Sequence, residues 1–276
     1  MPVIFYLFCA TSMIWLCLPR PRAWLGMFIL TMTWAMYAAH IAPVGLAMII
    51  LMAAVGWGAA RANGIDRKIL LLLTGLSGLL LASHRLPGFA EIVLTGLPPF
   101  TVSPATTFYL HLDKAIAGLL MLAVFCRSDR SQHLATWRDR GLWRLMAISL
   151  PLIFVVALAL GLTAPQWKWP ASTYLFFSVN LFFTCLAEEA FFRAGVQQAL
   201  LALMPRRPWF GIGLAALLFG LAHAAGGWRL IVVATLAGVC YGLAYHRTRA
   251  IAAAILLHFL VNAIHFVGFV YPAILH

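Results

Sequence analysis

LFFSVNLFFTCLAEEAFFRAGVQQALL, residues 175–201, decides how the rest of the chain is read. The run is long and apolar enough to cross a hydrocarbon core of roughly 30 Å as a helix. Near its middle it nonetheless carries Glu188, Glu189 and Arg193. Ionisable groups at helix centres cost roughly 2.5–3.5 kcal/mol each on insertion scales, so three so close together require a reason. In a regular α-helix Glu189 and Arg193 stand at i and i+4 with the acid N-terminal, the favourable order for an ion pair on one face. Glu188 points about 100° away from Glu189 and is the carboxylate left free. The expectation is one structural pair and one working acid.

Outward from this segment the chain stays apolar. Of its 276 residues 64% are hydrophobic and 9% charged, whereas soluble domains carry about 25% charged residues. Apolar runs of about 20 residues recur along nearly the whole length. They predict about ten helices, near 3–18, 24–39, 42–60, 68–83, 114–126, 142–163, 173–203, 209–225, 229–245 and 250–270. The fold class that follows is all-α, a polytopic transmembrane helical bundle in contact with the lipid bilayer. The first run, Met1 to Leu18, lacks a basic leader and a small-residue cleavage site, and reads as a retained helix. Residues 1–140 are expected to form N-terminal transmembrane helices of unassigned role, and residues 141–276 the functional core.

The formal charge is +12, but the basic residues fall in short clusters between apolar runs. There is no basic stripe or base-stacking module, so no nucleic-acid partner is implied. The clusters Arg20/Arg22, Arg61/Arg67/Lys68, Arg127/Arg130/Arg138/Arg140/Arg144, Arg206/Arg207 and Arg247/Arg249 occupy alternate connectors. Arg85, Lys114, Lys168 and Arg229 fall on the opposite side. The positive-inside rule then puts both termini outside, in an integral protein of a prokaryotic inner membrane. Five scattered cysteines without CxxC spacing imply neither a disulfide framework nor a zinc ribbon. Pro87, Pro98, Pro99 and Pro104 make 84–111 an outer loop. Asp113 and Lys114, at the start of the next helix, read as a solvated boundary pair.

Five of the seven acidic residues, Asp66, Glu91, Asp113, Asp129 and Asp139, lie in loops or at helix ends, which isolates Glu188 and Glu189. Two further apolar segments carry polar residues at one-turn spacing. In LLFGLAHAAG (217–226) Phe219 and His223 share a face, and in LLHFLVNAIHF (256–266) His258 and Asn262 do the same. Three facing helices of this kind could gather a carboxylate, two imidazoles and an amide around a wet cavity. Cys185, near Glu188, has nothing basic beside it in sequence and reads as a buried apolar thiol. His265 continues the His258/Asn262 face, where core packing and cavity lining are equally good readings.

The patterns EExxxR (Glu188, Glu189, Arg193), FxxxH (Phe219, His223) and HxxxN (His258, Asn262), in that order on successive apolar segments, resemble the CPBP family of intramembrane proteases, which includes type II CAAX prenyl endopeptidases and Abi-type proteins. The resemblance covers roughly residues 142–270. It implies that Glu188 with His223 activates a water against a peptide carbonyl. His258 and Asn262 stabilise the oxyanion, and Glu189, Arg193 and Phe219 support the site. The implied partner is a protein or peptide substrate in or near the membrane.

No cofactor is favoured. If a metal were present, zinc on Glu188, His223 and His258 would be its place. However, no HExxH occurs, and a carboxylate ligand would leave only the paired Glu189 as base. Two other classes compete with the protease. A proton-coupled transporter would be expected to show paired broken helices in two repeated halves, which the sequence lacks. A non-catalytic immunity or partner-binding protein on the same scaffold would keep its function when Glu188 is replaced. On the expected topology His223 lies near the outer end of its helix, so the site opens outward, where a sorting-signal tail of a secreted protein would fit.

Overall fold

A computed structural model describes residues 2–17, 21–94, 108–126 and 133–271. The helices follow the apolar runs closely. They are α1 (Val3–Cys17), α2 (Pro21–Tyr37), α3 (Pro43–Arg61), α4 (Gly64–Leu81), α5 (Leu112–Phe125), α6 (His133–Arg138) and α7 (Arg140–Ala159). Then come α8 (Thr173–Leu203), α9 (Pro208–Leu221), α10 (Gly227–Thr248) and α11 (Ile251–Gly268). Among the described residues, α3, α7, α8, α11 and the run Ala224–Thr248 are long and apolar enough to cross a membrane. The all-α transmembrane reading therefore holds.

Two features depart from the expected layout. The short helix α6 occupies part of the stretch read as a basic loop. In the proline-containing stretch between α4 and α5, strands β1 (Ile92–Leu94) and β2 (Phe108–Leu110) pair antiparallel with Ile92 opposite Leu110. A hairpin this short gives little periodic signal, and Val93 and Tyr109 remain exposed on it. Pro98, Pro99, Pro104, Arg20, Arg127 and Arg130 lie outside the described residues.

The chain packs as two compact units. The first comprises residues 1–97, 107–130 and 178–191. Its centre is α5, where Leu112 to Leu122 are buried apart from Lys114. A helix apolar all round is a core helix. It packs on the middle of α8 through Gly118, where an added Cβ would fall on the Ala187 backbone. Helices α1 and α2 are joined by a buried hydrogen bond of 2.9 Å between the Thr11 and Thr31 hydroxyls. Without a hydrophobic drive between helices in lipid, small residues and polar contacts of this kind hold them together. Leu51, Leu72 and Leu80 face outward, as lipid contact requires.

The second unit comprises residues 98–106, 131–177 and 192–276. Close approach again uses small residues: Gly238 of α10 meets Ala216 of α9, and Gly220 of α9 meets Thr235 of α10. Asp139 caps α7 by accepting from the Gly141 amide at 2.8 Å. The same carboxylate takes two hydrogen bonds from Arg247 at the end of α10, at 2.7 and 2.9 Å. That fork ties the start of α7 to the end of α10.

Candidate active site

Helix α8 is not a regular α-helix around the three charges. A single α-turn, Leu186–Glu189, is flanked by the π-helical segments Asn180–Cys185 and Ala190–Gln197. Wide turns of this kind are frequent at functional sites, and they re-aim side chains that a 3.6-residue period would place elsewhere. The 100° step used to sort Glu188 from Glu189 therefore does not extend to Arg193. What separates the two acids is burial: Glu189 is fully sealed, as is Arg193, whereas Glu188 is half-buried.

In the first unit Glu188 has a specific cation. Lys114 of α5 donates from Nζ to Glu188 Oε1 at 2.7 Å. The sequence reading of Glu188 as a free carboxylate, and of Asp113/Lys114 as a solvated boundary pair, is corrected by this contact. Asp113 is 6% exposed, and the Lys114 side chain 21%. The reason lies in α5, which is too deeply packed for its first turn to reach water freely. Lys114 is one residue that sequence reasoning missed. Its only signal was a cation at the start of an apolar helix in a chain with few intramembrane acids. Cys185 donates its thiol to the Asn180 carboxamide at 3.1 Å, a contact within the π-turn that fits its reading as a packed thiol.

In the second unit four more of the predicted residues converge. Phe219, His223, His258 and Asn262 line one cavity of about 120 Å³, together with Tyr241 and His265. That is several times the roughly 10–15 Å³ that one water needs. Its walls include Ile153, Phe154 and Val233, so polar groups meet an otherwise apolar hollow. His265 thus lines the cavity rather than only packing, with its Nε2 at 3.1 Å from the Val270 carbonyl.

His223 lies two residues past the end of α9 instead of inside it. Its Nδ1 donates to the Phe219 carbonyl at 2.8 Å, satisfying an orphan acceptor at the helix C-terminus. A carbonyl can only accept, so Nδ1 carries a proton, and in the neutral ring the lone pair is then on Nε2. The FxxxH spacing is a capping geometry as well as a shared face.

His258, 3% exposed, stacks on Tyr241 with ring centroids 4.7 Å apart and planes 16° apart. It meets Phe219 edge-on at 5.7 Å. The Arg193 guanidinium lies 4.9 Å from the Phe219 ring centre and 5.6 Å from that of Tyr241, within cation–π range. Phe219 and Tyr241 thus join Arg193 to His258 through their ring faces and edges. Tyr241 was not singled out in the sequence, where one tyrosine in an apolar helix looks like any aromatic packing residue.

Comparison with known proteins bears on the same segment. Residues 169–264 match the family model described as type II CAAX prenyl endopeptidase Rce1-like. The matched stretch contains all three motifs, consistent with the CPBP resemblance. No curated protein and no solved structure matches the chain. At the level of the family, the match points to a protease of the CAAX-protease type acting at a membrane.

Proposed function

We propose that the chain is an intramembrane endopeptidase that cleaves a membrane-embedded or membrane-proximal protein segment, with its catalytic core in residues 141–276. The observation that carries this reading is the convergence of His223, His258 and Asn262 on one apolar-walled cavity large enough to hold water, within the segment that matches a peptidase family.

Glu188 takes a proton from a water whose oxygen attacks the peptide carbonyl carbon, and His223, with its Nε2 lone pair, shares that proton. The His258 ring N–H and the Asn262 amide donate to the oxyanion as it forms, the electrostatic contribution that is usually largest in acyl transfer. Collapse of the tetrahedral intermediate breaks the C–N bond, and the proton passes to the leaving amine. Lys114 supplies the countercharge that a carboxylate in low dielectric requires. Arg193, held by aromatic rings, and Glu189 support the wall of the site.

The mechanism is metal-free in this proposal. An ammonium 2.7 Å from Glu188 Oε1 competes for the carboxylate that zinc would need and repels a dication brought beside it. With both termini outside, the turn holding His223 faces outward, so the substrate is a segment reached from that side.

The test is comparative proteomics of membrane and secreted fractions from cells carrying wild-type or Glu188→Ala protein. One protein should accumulate uncut in the variant, and its termini give substrate, cleavage position and side together. Unchanged processing, with a deletion phenotype rescued by the variant, would replace the protease reading by a partner-binding one.

A further inference from the structure

At the junction of α4, the hairpin and α5, the first unit gathers three side chains that the proposed chemistry does not use. The ligand atoms of His84, His111 and Asp113 all lie within 4.8 Å of one another. His84 Nδ1 is 2.9 Å from both carboxylate oxygens of Asp113, and the rings of His84 and His111 are stacked 3.8 Å apart.

Three further observations describe a built site. The Asp113 carboxylate is buried and oriented from behind by the Lys114 amide, which donates to Oδ1 at 2.7 Å, as outer-shell partners orient metal ligands. The backbone of His84 is in the left-handed region, φ 58°, uncommon for a residue with a side chain and the kind of strain that clusters at ligand clamps. The His84 side chain is 35% exposed, so the cluster has an entry path.

We propose that His84, His111 and Asp113 bind a divalent transition metal ion, zinc by ligand type, at the end of α4 and the start of α5. Two imidazoles and one carboxylate with an open fourth position form a zinc set. With ligand bonds of about 2.0–2.2 Å, tetrahedral donors stand about 3.3–3.5 Å apart. Separations of up to 4.8 Å close to that, and the 2.9 Å contact between His84 and Asp113 opens to it, by side-chain movements of about 1 Å. The ion would displace the His84 proton from Asp113 and clip the connection after α4 to α5. Because Lys114 follows Asp113 directly, the same clip would hold the residue that contacts Glu188. The site is separate from the Glu188, His223 and His258 set and stands whether or not the chain is a protease.

The experiment is zinc content and Zn²⁺ titration of the full-length protein in detergent, for wild type, His111→Ala, His84→Ala and Glu188→Ala, with Co²⁺ absorption as a second readout. One equivalent of zinc is expected in wild type and in Glu188→Ala. His111→Ala and His84→Ala should weaken binding at least about 100-fold, more than the 10–100-fold typical of outer-shell partners. Bound Co²⁺ should give a tetrahedral visible spectrum in wild type, which needs no variant to fold. No stoichiometric uptake by wild type overturns the proposal. So does zinc that is lost in Glu188→Ala and kept in both histidine variants.

Discussion

At the scale of single residues, the Lys114–Glu188 contact is the one that most changes the chemistry. Two charges brought into a poorly solvated place must compensate each other, and removing one of a buried pair typically costs about 3–5 kcal/mol. Here the side chains are 21% and 16% exposed, so solvent screening puts the expected loss for Lys114→Met well below that range, at about 1–2 kcal/mol. A double-mutant cycle with Glu188→Gln, read by thermal melting in detergent, should show positive coupling between the sites. Additive losses would mean that the pair contributes nothing as a pair. If Glu188 acts on water, Lys114→Met should also lower kcat with KM nearly unchanged, and Lys114→Arg should restore part of it.

At the scale of elements, helix ends and helix irregularities carry more than helix interiors. The fork between Asp139 and Arg247 joins two helix termini, and the Arg247 guanidinium beside Asp139 holds its carboxyl below the usual carboxylate range. A carboxylate depressed in the folded protein adds stability above its unfolded value, and that stability is lost as pH falls through the folded value. Asp139→Asn should therefore melt below wild type at neutral pH, and the gap should close as pH falls below about 4. A gap that stays constant from neutral to acid would show that the fork is not the cause. In α8 the π-turns on either side of Leu186–Glu189 do a comparable job by geometry. They break the 3.6-residue period on both sides of Glu188 and Glu189.

At the scale of the whole chain, alternating basic connectors predict which ends of the helices face each side. With native cysteines replaced, a cysteine at Ala171 should react with a membrane-impermeant maleimide added to intact cells. One at Arg206 should react only after permeabilisation. The reverse pattern would invert every helix and turn the proposed site toward the inside.

The number, order and approximate bounds of the long helices were legible in the sequence, because lipid imposes one rule on every spanning segment: about 20 apolar residues with internally satisfied backbone. The candidate residues were legible for the same reason, since charged and imidazole groups stand out against an apolar background. Lys114, Tyr241 and the turn position of His223 were not. Lys114 gains meaning only when the burial of α5 denies it water, and Tyr241 only when His258 and Arg193 lie against its ring. His223 closes α9 through a hydrogen bond that spacing cannot distinguish from a shared helical face. Spacing along the chain assumes one helical period, and α8 departs from that period at the charges. Patterning against lipid is a one-dimensional property and belongs to the sequence. Which polar group compensates which depends on contacts between distant segments, and only the tertiary structure decides them.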